Sequence, residues 1–222
     1  MKKSYKILSN ILLSIGACLI VCGAILYGVN EHEGNRAYAM SVDEIVKVKD
    51  EISRIKAGEA SKASADPSGD TASAGKDGAE KDASKTAAPE KKTLPVVTID
   101  GYPYDGYLSI PAIDLEMPVV DSCSEEYLEY FLCRFYGDPY DGGMVIAGHN
   151  YRRIFRKIKE LQVGDQVLLT TMDGEQFLYT VSDIEIIEGT GTEQMLDGNW
   201  DLTLFTCTFG GKERYTVRCT KA

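Results

Sequence analysis

Basic residues are scarce in this chain. Its 222 residues include 24 Lys and Arg against 34 Asp and Glu, and the formal net charge is −10. The deficit lies in residues 96–222, where 10 basic residues face 21 acidic ones. An acidic domain repels a polyphosphate backbone, so we expect no nucleic-acid partner. The basic cluster within residues 151–161 is interpreted instead as the solvated face of a helix.

Metal-binding patterns are also missing. The chain has two histidines and no Cys-x-x-Cys pair, so no structural zinc is expected. It has six cysteines, of which Cys18 and Cys22 fall in a long apolar run. Cys123 and Cys133 flank a helix-like segment, and a helix between them would hold their Cα atoms too far apart for a disulfide. The sequence therefore predicts neither a metal-bound nor a disulfide-bonded scaffold.

Charged residues are absent from residues 7–30, a run of 24 mostly apolar positions. A helix needs about 20 residues to cross a bilayer, so this run is long enough. Lys2, Lys3 and Lys6 precede it, and the positive-inside rule then predicts a cytoplasmic amino terminus and an extracellular remainder. Residues 1–30 are interpreted as the cytoplasmic tip and signal anchor of a single-pass protein of the cell membrane.

Two alternatives for this run stay open. A cleaved signal peptide would fit the small-x-small pattern of Ala37, Tyr38 and Ala39, but its apolar region would be shorter, about 7 to 15 residues. A lipoprotein signal at Cys18 would require the chain to become polar soon after that cysteine, whereas the apolar run continues. The uncleaved anchor is the preferred interpretation.

Aromatic and large apolar residues are absent from residues 58–92, where Ala, Ser, Gly, Asp and Lys dominate. Such a composition cannot bury enough surface to offset the loss of conformational entropy. We therefore expect a disordered linker over residues 58–95 that tethers the following domain. Between anchor and linker, residues 31–57 are predicted to form a juxtamembrane helical stalk. Its helix is predicted to start at Ser41, because Glu44 completes a capping box.

Residues 96–222 are long enough for a single domain with its own core. Short β-prone runs dominate this region, among them residues 107–110, 117–120, 166–171 and 176–187. Only two helices are plausible. The pattern is typical of a mainly β fold, and we expect a closed or nearly closed β-barrel with short peripheral helices.

The last two β-prone runs, residues 202–207 and 214–219, form a predicted hairpin. A Gly-Gly pair marks the loop between them, and antiparallel register places Cys207 opposite Arg214. Arg218 then lies about 13 Å further along the strand, at about 3.4 Å per residue, too far to act together with the thiol. We therefore expect Arg218→Ala to have little effect on product formation. A thiol and a guanidinium face each other at the open end of two strands.

A nucleophilic cysteine needs a low thiol pKa or a neighbouring imidazole. His149 follows the buried-type run 144–147 and is the plausible partner of Cys207, whereas His32 has no hydrophobic pattern around it. Each residue also has an ordinary structural interpretation, because a strand cysteine is often a core residue and a histidine after a strand is often only hydrogen-bonded. Their combination, rather than any one position, favours catalysis.

Three segments resemble the motifs of a known family, the sortases. Residues 203–207 with the following Arg214 are similar to the Thr-Leu-x-Thr-Cys and Arg signature. Residues 147–150 resemble the histidine segment of the family, and residues 106–111 resemble the start of its catalytic domain. The segments follow the family's order over about residues 102–221. The resemblance implies a cysteine transpeptidase of Gram-positive cell surfaces with an eight-stranded sortase-type β-barrel.

The resemblance also implies roles for individual residues. Cys207 would attack the substrate carbonyl, His149 would protonate the departing amine, and Arg214 would hold the substrate. Thr206 and Asn150 are expected to contact the substrate. The substrate would be an LPxTG-like sorting signal on a surface protein, and the acceptor an amine of a lipid-linked peptidoglycan precursor. No cofactor is expected; some sortases use calcium, which the scattered carboxylates here do not indicate.

Other functions stay open at this point. A pilus-assembling sortase would use a pilin lysine and commonly carries a second membrane segment and a lid, which are not evident in this sequence. The Asn150 after His149 keeps class B open, although the long helical insertion expected for that class is missing. A surface cysteine protease would hydrolyse the thioester with water, and a non-catalytic displayed domain would leave Cys207 unreactive.

Overall fold

The computed structural model describes residues 2–63 and 92–222, with side chains described for residues 9–58 and 92–222. Most of the predicted linker, residues 58–95, lies outside the described residues. The helices are α1 (Lys2–Ala63), α2 (Glu125–Leu128) and α3 (Thr192–Leu196), with 3-10 helices at Pro111–Ile113 and Phe155–Glu160. The strands are β1 (Val97–Ile99), β2 (Tyr102–Ile110), β3 (Leu115–Val120), β4 (Leu132–Asp138), β5 (Gly142–Ala147), β6 (Gln166–Thr171), β7 (Gln176–Glu188), β8 (Leu202–Cys207) and β9 (Glu213–Lys221).

The strands form one sheet in the order β1-β2-β3-β4-β5-β8-β9-β7-β6. β6 also pairs with β2, so strands β2 to β9 close into a ring of eight, and β1 is added to β2. The pairs β3–β4 and β5–β8 are parallel, and the other pairs are antiparallel. This architecture confirms the predicted mainly β fold with short peripheral helices, and the ring contains the expected eight strands.

Alternating side chains of these strands fill the inside of the ring. Leu204 of β8 lies beside Ile146 of β5 on one side and Val217 of β9 on the other, and all three are fully buried. Burying a side chain of this size contributes about 1.5 to 3 kcal/mol. A slip by one residue would turn this set outward, so the core fixes the register of the three strands. The predicted pairing of Cys207 with Arg214 is confirmed.

Helix α1 is continuous, and the predicted helix start at Ser41 is therefore wrong. Ser41 is buried within the helix. Glu44, expected to cap the helix end, instead accepts a hydrogen bond from the Tyr104 hydroxyl at 3.0 Å. Because the preceding residues already form a helix, the capping-box residues do not cap a helix end here. Glu44 contacts β2 instead.

The two halves of α1 differ in their surroundings. The large apolar side chains from Ile11 to Val29 are at least half exposed, and this part is long and apolar enough to cross a membrane. Further along, Ala37, Val48 and Ile52 are buried against the sheet. The second half of α1 thus belongs to the folded core. Its polar composition alone did not indicate this packing.

Helix α2 is shorter than the helix that the sequence between Cys123 and Cys133 predicted. It ends at Leu128, and the fully buried Leu132 begins β4, which pairs with β3. The short turn brings the thiols of Cys123 and Cys133 close enough to shift each other's pKa, lowering that of Cys123 and raising that of Cys133. The expectation that a helix holds them apart is therefore wrong, and both are free cysteines.

The basic segment 151–161 also differs from the expected α-helix, because its helical part is a 3-10 helix at Phe155–Glu160. Its amphipathic character is as predicted. Phe155 and Ile158 are fully buried, while Arg152 and Arg153 are exposed.

Candidate active site

One cleft lies where β5 and β8 end and β9 begins. It has a volume of about 380 Å³, and His149, Cys207 and Arg214 all line it. Cys207 ends β8, Arg214 lies in β9 and His149 follows β5, so the fold brings together the triplet that the sequence predicts. Apolar side chains form much of the remaining wall; they include Leu128, Phe135, Met195 and Phe205.

Cys207 is the last residue of β8 and is partly buried, with a free thiol. Its strand partner is Arg214, near the start of β9. A thiol at the end of a strand is held by the ladder on one side and reaches the cleft on the other. This combination of a fixed backbone and an accessible sulfur suits a nucleophile.

His149 reaches the cleft because β5 and β8 run parallel. Ala147 of β5 pairs with Phe205 of β8, and the Gly148 N–H donates to the Phe205 carbonyl at 3.1 Å. Two parallel strands end at the same edge of a sheet, so His149 and Cys207 emerge side by side. Gly148 is required at this point, because a Cβ there would overlap the ring of Phe155.

The environment of the His149 ring shapes its proton affinity. Burial lowers the pKa of His149, and the carboxylates of Glu129 and Glu33 oppose this shift. The Tyr151 ring stands edge-on to the imidazole, with ring centroids 4.2 Å apart at an interplanar angle of 61°. The lowered pKa disfavours the imidazolium, the form that acts as a general acid, and favours the neutral imidazole, the form that acts as a general base.

Arg214 and Arg218 have different surroundings. The Arg214 guanidinium is partly exposed on the cleft, and one of its nitrogens donates to the Gly211 carbonyl at 2.9 Å. The Arg218 guanidinium is buried and donates to Glu185 at 2.7 Å and to Thr203 at 2.9 Å. It also donates to two backbone carbonyls of α3, those of Gln194 and Met195. Arg218 therefore ties α3 to the sheet, and the small effect of its loss on product formation stays a prediction.

Thr206 and Asn150 are the two residues expected to contact substrate. The Thr206 side chain is buried, and its hydroxyl donates to the Gly148 carbonyl at 2.8 Å. The Asn150 side-chain oxygen and its backbone carbonyl accept hydrogen bonds from Arg156 at 3.4 and 3.1 Å. Both residues thus hold the backbone on either side of His149. Their contact with substrate stays a prediction.

We expect Thr206→Val to lower activity about tenfold, because loss of the hydroxyl leaves the Gly148 carbonyl without this donor and loosens the backbone before His149. Thr206→Ser should retain most of the activity. Thr203→Val is the matched control, since it removes a buried hydroxyl from the same strand that bonds to Arg218 rather than to the His149 segment. Steady-state rates with a peptide substrate and the melting temperature check this. Equal activity losses for Thr203→Val and Thr206→Val would contradict it.

Sequence reasoning missed the neighbours of the imidazole. Tyr151 lies two residues after His149, and a search for catalytic motifs gives it no signal. Glu33 lies in α1, far away in sequence, and reaches His149 only because α1 packs beside Tyr151. Among residues 9–58 and 92–222, whose side chains the structure describes, no three His, Cys, Asp or Glu side chains are grouped so that they could hold a metal ion.

The sortase-domain family model matches residues 108–222, just over half of the chain and all of the strands that form the cleft. The chain belongs to the sortase family. Sortase A from Bacillus anthracis is 28% identical to it over 144 residues, which cover 61% of this chain and 68% of that protein. Sortase D from Bacillus subtilis (strain 168) is 32% identical over 108 residues, covering 46% of this chain and 53% of that protein.

A solved structure supports the same assignment. The crystal structure of sortase C1 from Streptococcus agalactiae superimposes with a TM-score of 0.50 at 27% identity, covering 56% of this chain and 70% of that chain. Sortases are cysteine transpeptidases, and this sortase is an enzyme of that type. Its relatives include types A, C and D, so family membership fixes the reaction class but not the substrate.

Proposed function

We propose that this sortase cleaves an LPxTG-like sorting signal through a thioester on Cys207 and transfers the acyl group to an amine of a cell-wall precursor. The observation that carries the proposal is the convergence of His149, Cys207 and Arg214 on one cleft. A nucleophile, a proton donor and a fixed cation are the parts that acyl transfer from an amide requires.

In the first half-reaction, the Cys207 thiolate attacks the carbonyl carbon of the scissile peptide bond. The His149 imidazolium donates its proton to the departing nitrogen as the carbon–nitrogen bond breaks, and a thioester remains on the sulfur. Arg214 stabilises the negative charge that builds on the carbonyl oxygen. A guanidinium suits this task because it stays charged at any physiological pH and presents several donors in a plane.

In the second half-reaction, an acceptor amine attacks the thioester carbonyl. The neutral imidazole of His149 takes the proton from the attacking nitrogen, and Cys207 leaves as a thiolate. The enzyme thus returns to its starting protonation state without a net gain or loss of protons. Transfer to an amine rather than to water requires the amine to occupy the cleft while the thioester exists.

The cleft walls support recognition of a short apolar signal. Phe135 and Phe205 pack edge-on with ring centroids 5.4 Å apart, and Met195 and Leu128 complete an apolar surface beside the thiol. A leucine side chain of a sorting signal would bury its surface there, with the scissile carbonyl directed to Cys207.

The proposal includes the cell surface as the place of action. Residues 7–30 would anchor the chain in the membrane with a cytoplasmic amino terminus, and residues 96–222 would form the extracellular catalytic domain, after the stalk of residues 31–57 and the linker of residues 58–95. The exposed apolar half of α1 supports the anchor. Sorting-signal-bearing surface proteins and lipid-linked amine acceptors are available on that side.

The test uses full-length protein in detergent micelles with fluorogenic LPxTG-like peptides, incubated with and without an amine acceptor. We expect a covalent enzyme adduct with the mass of the acyl fragment, and amine-dependent peptide adducts. Cleavage that does not depend on the amine would favour a protease. Transfer only to lysine-containing pilin peptides would favour pilus assembly, and an unreactive Cys207 would favour a binding role.

A further inference from the structure

Helix α1 passes the folded region from its cleft end to its opposite end. Gly34 lies against Tyr151, whose ring stands edge-on to His149; a Cβ on Gly34 would be 3.3 Å from the Tyr151 Cβ. Further along, Lys56 lies against the turn at Gly174 between β6 and β7. At 1.5 Å per residue, residues 34 and 56 are about 33 Å apart along the helix axis. The direction of α1 therefore defines which end of the enzyme is nearer to the apolar run.

The apolar run ends just before the cleft. Residues 7–30 carry no charged side chain, and Leu26 and Val29 near the end of the run are 71% and 50% exposed. From Asn30 to Gly34 the helix rises only about 6 Å. A bilayer around this run would therefore have its surface close to the level of Tyr151 and His149.

Contacts on both sides of the helix hold α1 to the domain at this level. Ala37, about one helical turn after Gly34, is fully buried in the main core. The Arg36 guanidinium lies 5.9 Å from the ring centroid of Tyr130, and Arg153 lies 5.6 Å from that of Tyr38. The apolar run is linked to the cleft end directly through α1. Residues 64–91 come after α1 in the chain, so the length of that segment does not set the distance between the apolar run and the cleft.

An exposed aromatic residue lies at the same end of the molecule. Phe209 follows Cys207 by two residues, in the loop between β8 and β9, and its side chain is 97% exposed. Exposure of a whole phenylalanine to water is unfavourable, and aromatic residues are common at the interface of a bilayer. The charges at this end are mixed, because α1 carries Arg36 as well as Glu31 and Glu33, and Glu125 and Glu188 line the cleft with Arg214. A contact between this end and the bilayer would therefore depend on the continuity of α1 and on Phe209, rather than on attraction to anionic lipid.

We propose that the cleft-bearing end of this sortase rests on the bilayer that holds residues 7–30, with Phe209 in contact with lipid, so that the cleft acts on chain segments at the membrane surface. The proposal rests on the proposed function, in which residues 7–30 are the anchor. The contact would raise the rate of reaction with a sorting peptide that is held in the same bilayer. A soluble peptide of the same sequence reacts at the same site but lacks this local concentration.

Tryptophan quenching by brominated lipid tests the contact. The chain has a single tryptophan, Trp200, which precedes β8 and lies about 24 Å from Cys207 along the strand direction. Full-length protein is reconstituted in phosphatidylcholine vesicles with brominated acyl chains, either unchanged or as Trp200→Phe with Phe209→Trp. We expect the brominated lipid to quench the fluorescence of the tryptophan at position 209 strongly. For Trp200 we expect a loss of less than about a tenth of the fluorescence. No quenching at position 209, or equal quenching at both positions, overturns the proposal.

An insertion separates contact from chemistry. Seven residues of Glu, Ala and Lys inserted between Asn30 and Glu31 lengthen the helix by about 10 Å while nearly preserving its facing direction. We expect quenching at position 209 to disappear and the reaction with a membrane-embedded sorting peptide to fall about tenfold, while the soluble peptide reacts at an unchanged rate.

Two outcomes distinguish the failures. If the insertion changes neither the quenching at position 209 nor the rate with the membrane-embedded peptide, the membrane contact is overturned and the proposed function remains in place. A soluble peptide that fails to react with the unchanged enzyme overturns the proposed function, and the quenching result then still decides the contact. Circular dichroism spectra check that each variant is folded.

Discussion

Cys207→Ala and His149→Ala should each remove transpeptidation, while leaving the fold intact. The cysteine variant has no atom that can hold the acyl group, so we expect no thioester and no product above the background reaction. The histidine variant retains the thiol but loses the proton donor for the departing amine, and we expect a rate about 10²- to 10⁴-fold lower. The measurement combines product formation with intact-protein mass spectrometry of the acyl adduct.

A stability control separates chemistry from folding for this pair. Cys207 and His149 lie at the open edge of the sheet, where neither belongs to the buried core. Melting temperatures of both variants should therefore stay within a few degrees of the unchanged enzyme. Cys219→Ala is a matched control, because it removes a fully buried thiol from β9, lowering stability without removing the nucleophile. Substantial product from Cys207→Ala would contradict the assignment.

Arg214→Ala and Arg218→Ala should have opposite profiles. Loss of Arg214 removes a cation from the cleft wall, and we expect activity to fall about 10²- to 10³-fold with little change in the free energy of unfolding. Loss of Arg218 leaves the carbonyls of Gln194 and Met195 and the hydroxyl of Thr203 without their donor. We expect the free energy of unfolding to fall by about 2 to 4 kcal/mol.

Lysine variants sharpen the comparison, because lysine retains the charge but not the planar set of donors. Arg214→Lys should retain part of the activity, and Arg218→Lys should retain only part of the stability. Denaturant unfolding and initial rates at a temperature where all variants are folded provide the two readouts. A large loss of activity in folded Arg218→Ala, together with an active Arg214→Ala, would reverse the assigned roles.

The catalytic hairpin is the part of the site that could be predicted from sequence in detail. Alternation of apolar residues identifies the strands, and the Gly-Gly loop sets their register, so Cys207 and Arg214 are paired by local rules. The structure has the same pairing. The role of Arg218 was only half predicted. Register shows that it lies far from the thiol, but its partners come from α3 and β7, whose positions depend on the whole sheet.

His149 required more than local rules. Nothing within residues 144–150 indicates that β5 lies beside β8. His149 was linked to Cys207 only by the lack of another plausible histidine and by motif resemblance. The parallel pair forms because the ring of eight strands closes across distant parts of the chain. The same long-range packing shortens α2, since Leu132 and Cys133 gain more by pairing with β3 than by extending a helix.

By itself the sequence determined the apolar run, the mainly β domain and the hairpin that presents Cys207 to Arg214, because each depends on the spacing of residues close together in the chain. Only the tertiary structure decided that His149 lines the same cleft as the thiol, that Thr206 is turned inward, and that α1 packs next to the cleft. These features depend on which distant surfaces bury one another. That choice follows from the free energy of the complete core rather than from any one segment.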